Sequence, residues 1–258
     1  LNGKDYVKVP VKGVHFQEVN IASAAVHADA MVVMSHFKGH ELSGFGGAIK
    51  NIGMGLGSRS GKQQMHSDVL PRVLEENCTG CAKCSKWCPA LAIVMQEWPG
   101  NKKGLKSHIM EDKCWGCGEC VVTCPSGAIK PNWRTTPEAM QEKMAEYAMG
   151  ALSGKEKKVV CVSFVVDISP NCDCMPFNDA PVVQNIGILA SVDPVALDKA
   201  CMDLVNSRPA LPGSVIEGLP AGEDKFKAIY PGINWEPQLR HAEKIGLGSM
   251  EYEIVGID

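Results

Sequence analysis

The sequence predicts an α/β fold: a discontinuous α/β domain with a mostly parallel sheet, residues 1–71 plus 132–258, interrupted by a smaller inserted α+β unit at residues 72–131. Three observations predict it. Strand-like apolar runs alternate with amphipathic segments on both flanks, the pattern of a sheet covered by helices. Met31-Val32-Val33-Met34 and KVVCVSFVVDI (residues 158–168) are nearly continuous apolar runs, as expected of strands buried on both faces. Between them, eight of the twelve cysteines crowd into residues 78–124.

The elements follow in order. Residues 6–11 alternate and read as a short strand, and the alanine-rich residues 19–30 read as a helix. After the apolar run at 31–34 comes a polar, glycine-rich loop, SHFKGHELSGFGGAIKNIGMG (residues 35–55). In the inserted unit, residues 96–112 hold Pro99, Gly100 and Gly104 and read as a surface loop. Thr136-Pro137 starts a helix, a hydroxyl cap followed by proline at the first position. Met140, Met144, Tyr147, Ala148 and Ala151 fall on one face of it, and Gly150 or Gly154 is expected to end it. Residues 185–190 read as another strand. Asp193-Pro194 caps a helix over 195–205, a helix over 237–244 closes at Gly246, and a last strand is expected at 251–255.

The inserted unit carries the clearest chemistry. CTGCAKCSKWCP (78–89) and CWGCGECVVTCP (114–125) share the pattern C-x-x-C-x-x-C-x-x-x-C-P. This spacing holds two cubane clusters in bacterial ferredoxins, the fourth cysteine of each run ligating the other cluster. Cluster one is therefore expected on Cys78, Cys81, Cys84 and Cys124, and cluster two on Cys114, Cys117, Cys120 and Cys88. Residues 77–95 align with 113–131, so the unit is an internal repeat, a bacterial-type two-cluster ferredoxin unit. The competing reading is a pair of zinc sites, for which separated C-x-x-C pairs or Cys/His mixtures would be usual. Disulfides belong in short secreted scaffolds, which this chain does not resemble.

Composition limits the partners. The chain is 45% hydrophobic and 21% charged, with a net charge of −3, which gives no case for nucleic acid or a membrane surface. No apolar run approaches the roughly 20 residues of a spanning helix, and no signal-peptide pattern is read. The chain begins at Leu1 rather than methionine, as expected of a processed or truncated chain. Cubane-spaced cysteines point to a reducing, anaerobic cytoplasm. The expected partner is a redox protein or a small-molecule substrate.

Two further loops follow predicted strands, where open α/β sheets build their sites. One carries His36, His40 and Lys50, the other Cys172, Asp173 and Cys174. His36 and His40 suit proton transfer, and Lys50 suits an anionic ligand. Gly44, Gly46 and Gly47 let backbone N–H groups approach a cofactor closely, although neither G-x-x-x-x-G-K-[ST] nor G-x-G-x-x-G is present. The C-x-C pair Cys172/Cys174, with His66, is a candidate site for an additional metal such as zinc, nickel or copper(I); the plain alternative is two reduced thiols in a turn. Cys161 and Cys201 sit among apolar neighbours and read as core.

The histidine loop, the cysteine repeat and SPNCDCMPFNDAPVVQNIGILASVDPVALDKACMDLV (residues 169–205) together resemble the iron–sulfur centre proteins of domain-of-unknown-function family 362. The resemblance implies clusters and fold rather than an activity. His40, then GFGGAIKNIGMG around Lys50, then His66, is similar to the glycine-rich loop of nickel-pincer lactate racemases. That similarity implies His40 as acid/base, Lys50 as the tether of a pincer cofactor and His66 as a nickel ligand. No further cofactor or substrate residues match, and those racemases lack the ferredoxin insertion. Three functions are thus expected in turn: an electron-transfer protein with two 4Fe-4S clusters, an enzyme (oxidoreductase or racemase-like) using the His36/His40/Lys50 and Cys172/Cys174 loops, or a metal or cluster carrier.

Overall fold

A computed structural model of the chain describes residues 5–66, 69–114, 116, 118–132 and 135–257. In chain order its elements are β1 (Tyr6–Pro10), β2 (Glu18–Ala22), α1 (Ser23–His27), β3 (Met31–His36), β4 (Lys38–His40), β5 (Gly44–Gly46), α2 (Ala48–Leu56), α3 (Arg59–His66) and β6 (Val69–Val73). They continue with α4 (Lys83–Trp87), β7 (Ile93–Glu97), β8 (Leu105–Ile109), α5 (Glu119–Thr123), β9 (Ile129–Asn132), α6 (Pro137–Leu152), β10 (Val159–Val165), β11 (Gly187–Ser191), α7 (Pro194–Asn206), α8 (Lys225–Ile229) and α9 (Glu236–Lys244). The fold is mixed α/β with several small sheets. Two compact units emerge: Leu1–Val7 with Gly57–Thr135, and Lys8–Leu56 with Thr136–Asp258. We call the first the cysteine unit and the second the α/β unit.

The α/β unit is built on a three-stranded sheet in the order β11-β10-β3. β3 and β10 pair in parallel, from Val159 opposite Met31 to Phe164 opposite His36. β10 and β11 pair antiparallel. The mostly parallel sheet expected from sequence is therefore a small mixed one. A parallel pairing needs a long crossover, which the chain between β3 and β10 supplies, whereas β11 returns from β10 without a helix and so runs back antiparallel. The sheet also has one covered face, not two. Val33 is buried, but Val32 and Met34 are 69% and 62% exposed.

The helices follow their caps. Thr136 accepts from Ala139 N–H at 3.2 Å and starts α6. That helix runs past Gly150 to Leu152, burying Met140, Met144, Tyr147, Ala148 and Ala151. Asp193 accepts from Val195 and Ala196 N–H and starts α7. The helix expected over 19–30 is instead β2 followed by the short α1. Val19 and Ile21 are fully buried there, and β-branched packing outweighs the helix propensity of the alanines. Residues 251–255 form no strand: Ile254 and Val255 are exposed and no described strand pairs with them.

In the cysteine unit, β6 pairs with β9 and β7 with β8, both antiparallel. The spacer expected as a loop thus contributes β8, with Ile93 opposite Ile109 and Glu97 opposite Leu105. Its proline and glycines mark only the turn, where Trp98 N–H donates to Gly104 carbonyl at 2.8 Å. The core of this unit is Cys84, Ile93, Ile109, Cys120 and Ile129, with Cys88, Cys114 and Cys124 packed on it. A core made largely of sulfur and isoleucine is too small to be a strong hydrophobic one.

Candidate metal centres

In the cysteine unit the repeat is a repeat of backbone as well as of sequence. α4 and α5 start 36 residues apart and both begin after a left-handed residue, Ala82 (φ 59°) and Gly118 (φ 70°). Both end at a cysteine with nearly the same dihedrals, Cys88 (−72°, 111°) and Cys124 (−71°, 110°). After each, the chain turns back, and Ala92 N–H and Ala128 N–H each donate to the sulfur of that last cysteine at 3.3 Å.

This geometry carries each run's fourth cysteine away from its first three. Cys78, Cys81, Cys84 and Cys124 line one pocket, with Ser107, Ser126 and Ile129 among its walls. Cys88, Cys114 and Cys120 line a second, with Ala90, Ile93, Ile109 and Glu119. Cys117 lies outside the described residues. The described cysteines are free of disulfides.

The sulfurs sit among hydrogen-bond donors. Ser107 Oγ lies 3.0 Å from Cys84 Sγ and 3.8 Å from Cys78 Sγ. Burial pushes the Cys84 thiol up, and the Ser107 hydroxyl offsets this only in part. At Cys124 burial also pushes up. There the Ser126 hydroxyl and the N–H groups of Ile129, Ala128 and Ser126 outweigh it and favour the thiolate. Clustered thiols with donors aimed at sulfur are a donor set for soft metal or iron–sulfur ligation.

The α/β unit holds the second constellation. The strands β3 and β10 run side by side, so the segments that follow them leave from the same end of the sheet. β4 then runs along the Ser169–Pro170 backbone, with Gly39 N–H donating to Ser169 carbonyl at 2.8 Å. A Cβ on Gly39 would lie 1.9 Å from the Pro170 oxygen, so only glycine fits. This approach seats His40 beside the 172–174 turn. His40, Cys172 and Cys174 each offer a ligand atom, and these atoms lie within 4.8 Å of one another, a group that can hold a metal ion.

Lys50, on α2, donates from Nζ to Cys172 Sγ at 3.1 Å. Cys174 donates to the same sulfur twice, from Sγ at 2.9 Å and from its backbone N–H at 3.4 Å. Burial raises the Cys172 thiol, but these donors and the lysine charge more than offset it and hold it below the ordinary thiol range. Cys174 is pushed up to about 11 by burial and by the neighbouring Cys172 sulfur. Of the two thiols, Cys172 is therefore the more readily ionised. His36 Nδ1 meets Asp173 at 3.1 Å, and Lys38 Nζ reaches the same carboxylate at 3.2 Å.

A model of the family described as domain of unknown function (DUF362) matches residues 1–203. The chain belongs to the DUF362 family. A search of the curated proteins returns no match. The range matched by DUF362 contains both cysteine runs, the His36–Lys50 segment and the Cys172–Cys174 turn. No described helix of this DUF362 chain is long and apolar enough to cross a membrane.

Of the residues singled out from sequence, the structure brings His36, His40, Lys50, Cys172 and Cys174 into one region of the α/β unit. His66 ends α3 in the cysteine unit and is not one of the three residues grouped around the C-x-C pair. Gly44 and Gly46 pair with His40 and Lys38 in the β4–β5 hairpin. Gly47 precedes the α2 N-terminus, where the chain itself supplies an acceptor. Asp198 accepts from Ala48 N–H at 2.6 Å and Ile49 N–H at 2.9 Å. Burial lifts the Asp198 carboxyl to about 7, even with those donors opposing it.

Sequence reasoning missed Lys38, Asp198 and Tyr230, whose hydroxyl donates to Pro170 carbonyl and Asn171 and so braces the 172–174 turn. It also missed Ser107, a residue of the spacer. No spacing signal marked any of them. Cys161 and Cys201 are fully buried, as expected of core residues.

Proposed function

We propose that this chain binds two 4Fe-4S clusters and passes single electrons to or from a partner. The observation that carries the reading is the crossed lining of the two pockets: Cys124 from the second run joins Cys78, Cys81 and Cys84, and Cys88 from the first joins Cys114 and Cys120. That crossing is what the two-cluster ligation rule requires. Two independent zinc sites built from separate C-x-x-C pairs have no need of it.

On this reading residues 72–131 are a bacterial-type ferredoxin insertion within an α/β domain made of 1–71 and 132–258. Cys78, Cys81, Cys84 and Cys124 hold one cluster, and Cys88, Cys114, Cys117 and Cys120 the other. A bound cubane supplies one-electron transfer. The chain's own part is to hold thiolates, aim Ala92, Ala128 and Ser107 at sulfur, and exclude water with Ile93, Ile109 and Ile129. A reducing, anaerobic cytoplasm suits such thiolates. The test is electron paramagnetic resonance of anaerobically reconstituted protein at a low-potential electrode. Signals from two interacting reduced clusters are expected; silence at every potential reached, with metal other than iron bound, would overturn the reading.

A second reading has its own observation, the Lys50–Cys172 contact at 3.1 Å with His40 beside it. It makes the α/β unit an active site, with a charged thiolate, a histidine for proton transfer and Lys38 and His36 holding Asp173. His40→Ala and Lys50→Ala should each change thiol reactivity or metal content there. If neither variant changes either property, this reading falls.

A further inference from the structure

Among the described residues, the C-x-C pair is a nucleophilic cluster that the cluster reading leaves unused, and its geometry is specific. The two sulfurs lie 2.9 Å apart. A metal that bound both at about 2.3 Å in a tetrahedral site would hold them roughly 3.8 Å apart. His40 is committed as well: its Nδ1 accepts from Leu42 N–H at 3.1 Å and Ser43 N–H at 3.2 Å. A metal could take this ring only in place of those two bonds or of the Nε2 proton. The pair is thus arranged for sulfur–sulfur chemistry more than for coordination.

We propose that Cys172 and Cys174 form a redox dithiol that reduces a low-molecular-weight disulfide. The division of labour follows from exposure. Cys174 is exposed, whereas Cys172 is 2% exposed and has the Lys50 ammonium 3.1 Å away. Cys174 passes its Sγ proton to the Cys172 sulfur 2.9 Å away and attacks the incoming disulfide RSSR as the thiolate, forming a mixed disulfide; the first RS⁻ then takes that proton from Cys172 and leaves as RSH. The Cys172 thiolate, already in contact, attacks Cys174 Sγ and expels the second RS⁻. One S–S bond breaks in the substrate and one forms in the protein, and two electrons pass from the pair to RSSR. A disulfide spanning a single residue is a strained ring, which places its potential toward the oxidising, readily reversible end. The Lys50 ammonium lies 3.1 Å from Cys172 Sγ and so faces the sulfur that closes the protein disulfide.

The proposal rests on the second reading of the α/β unit and is independent of the clusters. The experiment uses the anaerobically reconstituted full chain, equilibrated with oxidised and reduced glutathione and then alkylated, with labelling read at each cysteine by mass spectrometry. Cys172 and Cys174 are expected to lose labelling together as the buffer becomes oxidising and regain it with reductant, while Cys161 and Cys201 stay unlabelled. Cys172→Ser should stop at a glutathione adduct on Cys174, at unchanged iron content. Lys50→Gln should slow release of that adduct about tenfold or more. If both cysteines remain alkylatable in oxidised glutathione, or if as-purified protein carries stoichiometric zinc or nickel that Cys172→Ser removes, the proposal is overturned. Iron counted in the same samples separates that result from failure of the cluster reading.

Discussion

The two cysteine pockets share one backbone and differ in the groups around sulfur. Each cysteine run has a left-handed residue before a short helix, a cysteine after it, and an N–H donor to that last cysteine at 3.3 Å. The pocket of Cys78, Cys81, Cys84 and Cys124 adds hydroxyls, Ser107 near two sulfurs and Ser126 3.6 Å from Cys124. The pocket of Cys88, Cys114 and Cys120 has Ala90 where the other has Ser126, and its wall includes Glu119, paired to Arg59 at 2.6 Å. Reduction adds negative charge, which hydroxyl donors stabilise and a carboxylate opposes. On the proposed cluster reading, the repeat sets the ligand geometry, and its divergence is expected to make the first pocket the higher-potential one.

The largest expected effect breaks the pairing of runs with pockets. Cys124→Ser, although it alters the second run, should remove the cluster in the Ser107 pocket and leave the other, so that iron falls from about eight to about four per chain. Loss of the signal that responds to Ser107→Ala, in the Cys124→Ser background, identifies which cluster went. Loss of the Glu119-sensitive signal instead would mean uncrossed ligation.

A second test uses backbone. Leu91 (φ 53°) and Gly127 (φ 63°) occupy equivalent turns. Gly127→Leu should cost about 1–2 kcal/mol in thermal unfolding of the loaded protein, whereas Leu91→Gly should be neutral or stabilising by up to about 1 kcal/mol. Equal losses in both would show that the turns are not equivalent.

The next effects are on potential. Ser107→Ala should lower the first cluster's potential by roughly 30–60 mV, about 1 kcal/mol of lost hydrogen bonding, and leave the second unmoved. Glu119→Gln should raise the second by a smaller amount, about 20 mV, because Arg59 already screens that carboxylate. Both are read by electron paramagnetic resonance in a redox titration. Shifts of the same size in both clusters would erase the distinction between the pockets.

Much of this was legible in the sequence, and the misses have physical causes. The cysteine spacing alone named the eight thiols of the two runs, seven of which lie within the described residues and line the two pockets. Caps were equally readable at Thr136 and Asp193, because capping is local. The β2 strand was misread as helix since alanines suggest a helix until Val19 and Ile21 are buried by a distant partner. Met31–Met34 looked doubly buried because apolar content does not reveal that one face of the sheet stays open.

At the α/β site the sequence named His36, His40, Lys50, Cys172 and Cys174, while their contacts depend on the parallel pairing of β3 with β10. Asp198 at the α2 N-terminus, 150 residues from Ala48, was beyond any local signal.

The central claim is two cubanes in crossed cysteine pockets. The most direct measurement is iron, inorganic sulfide, zinc and nickel per chain in anaerobically purified protein. The account predicts about eight iron and about eight sulfide. Zinc in the cysteine unit, with iron and sulfide absent after reconstitution, would contradict it.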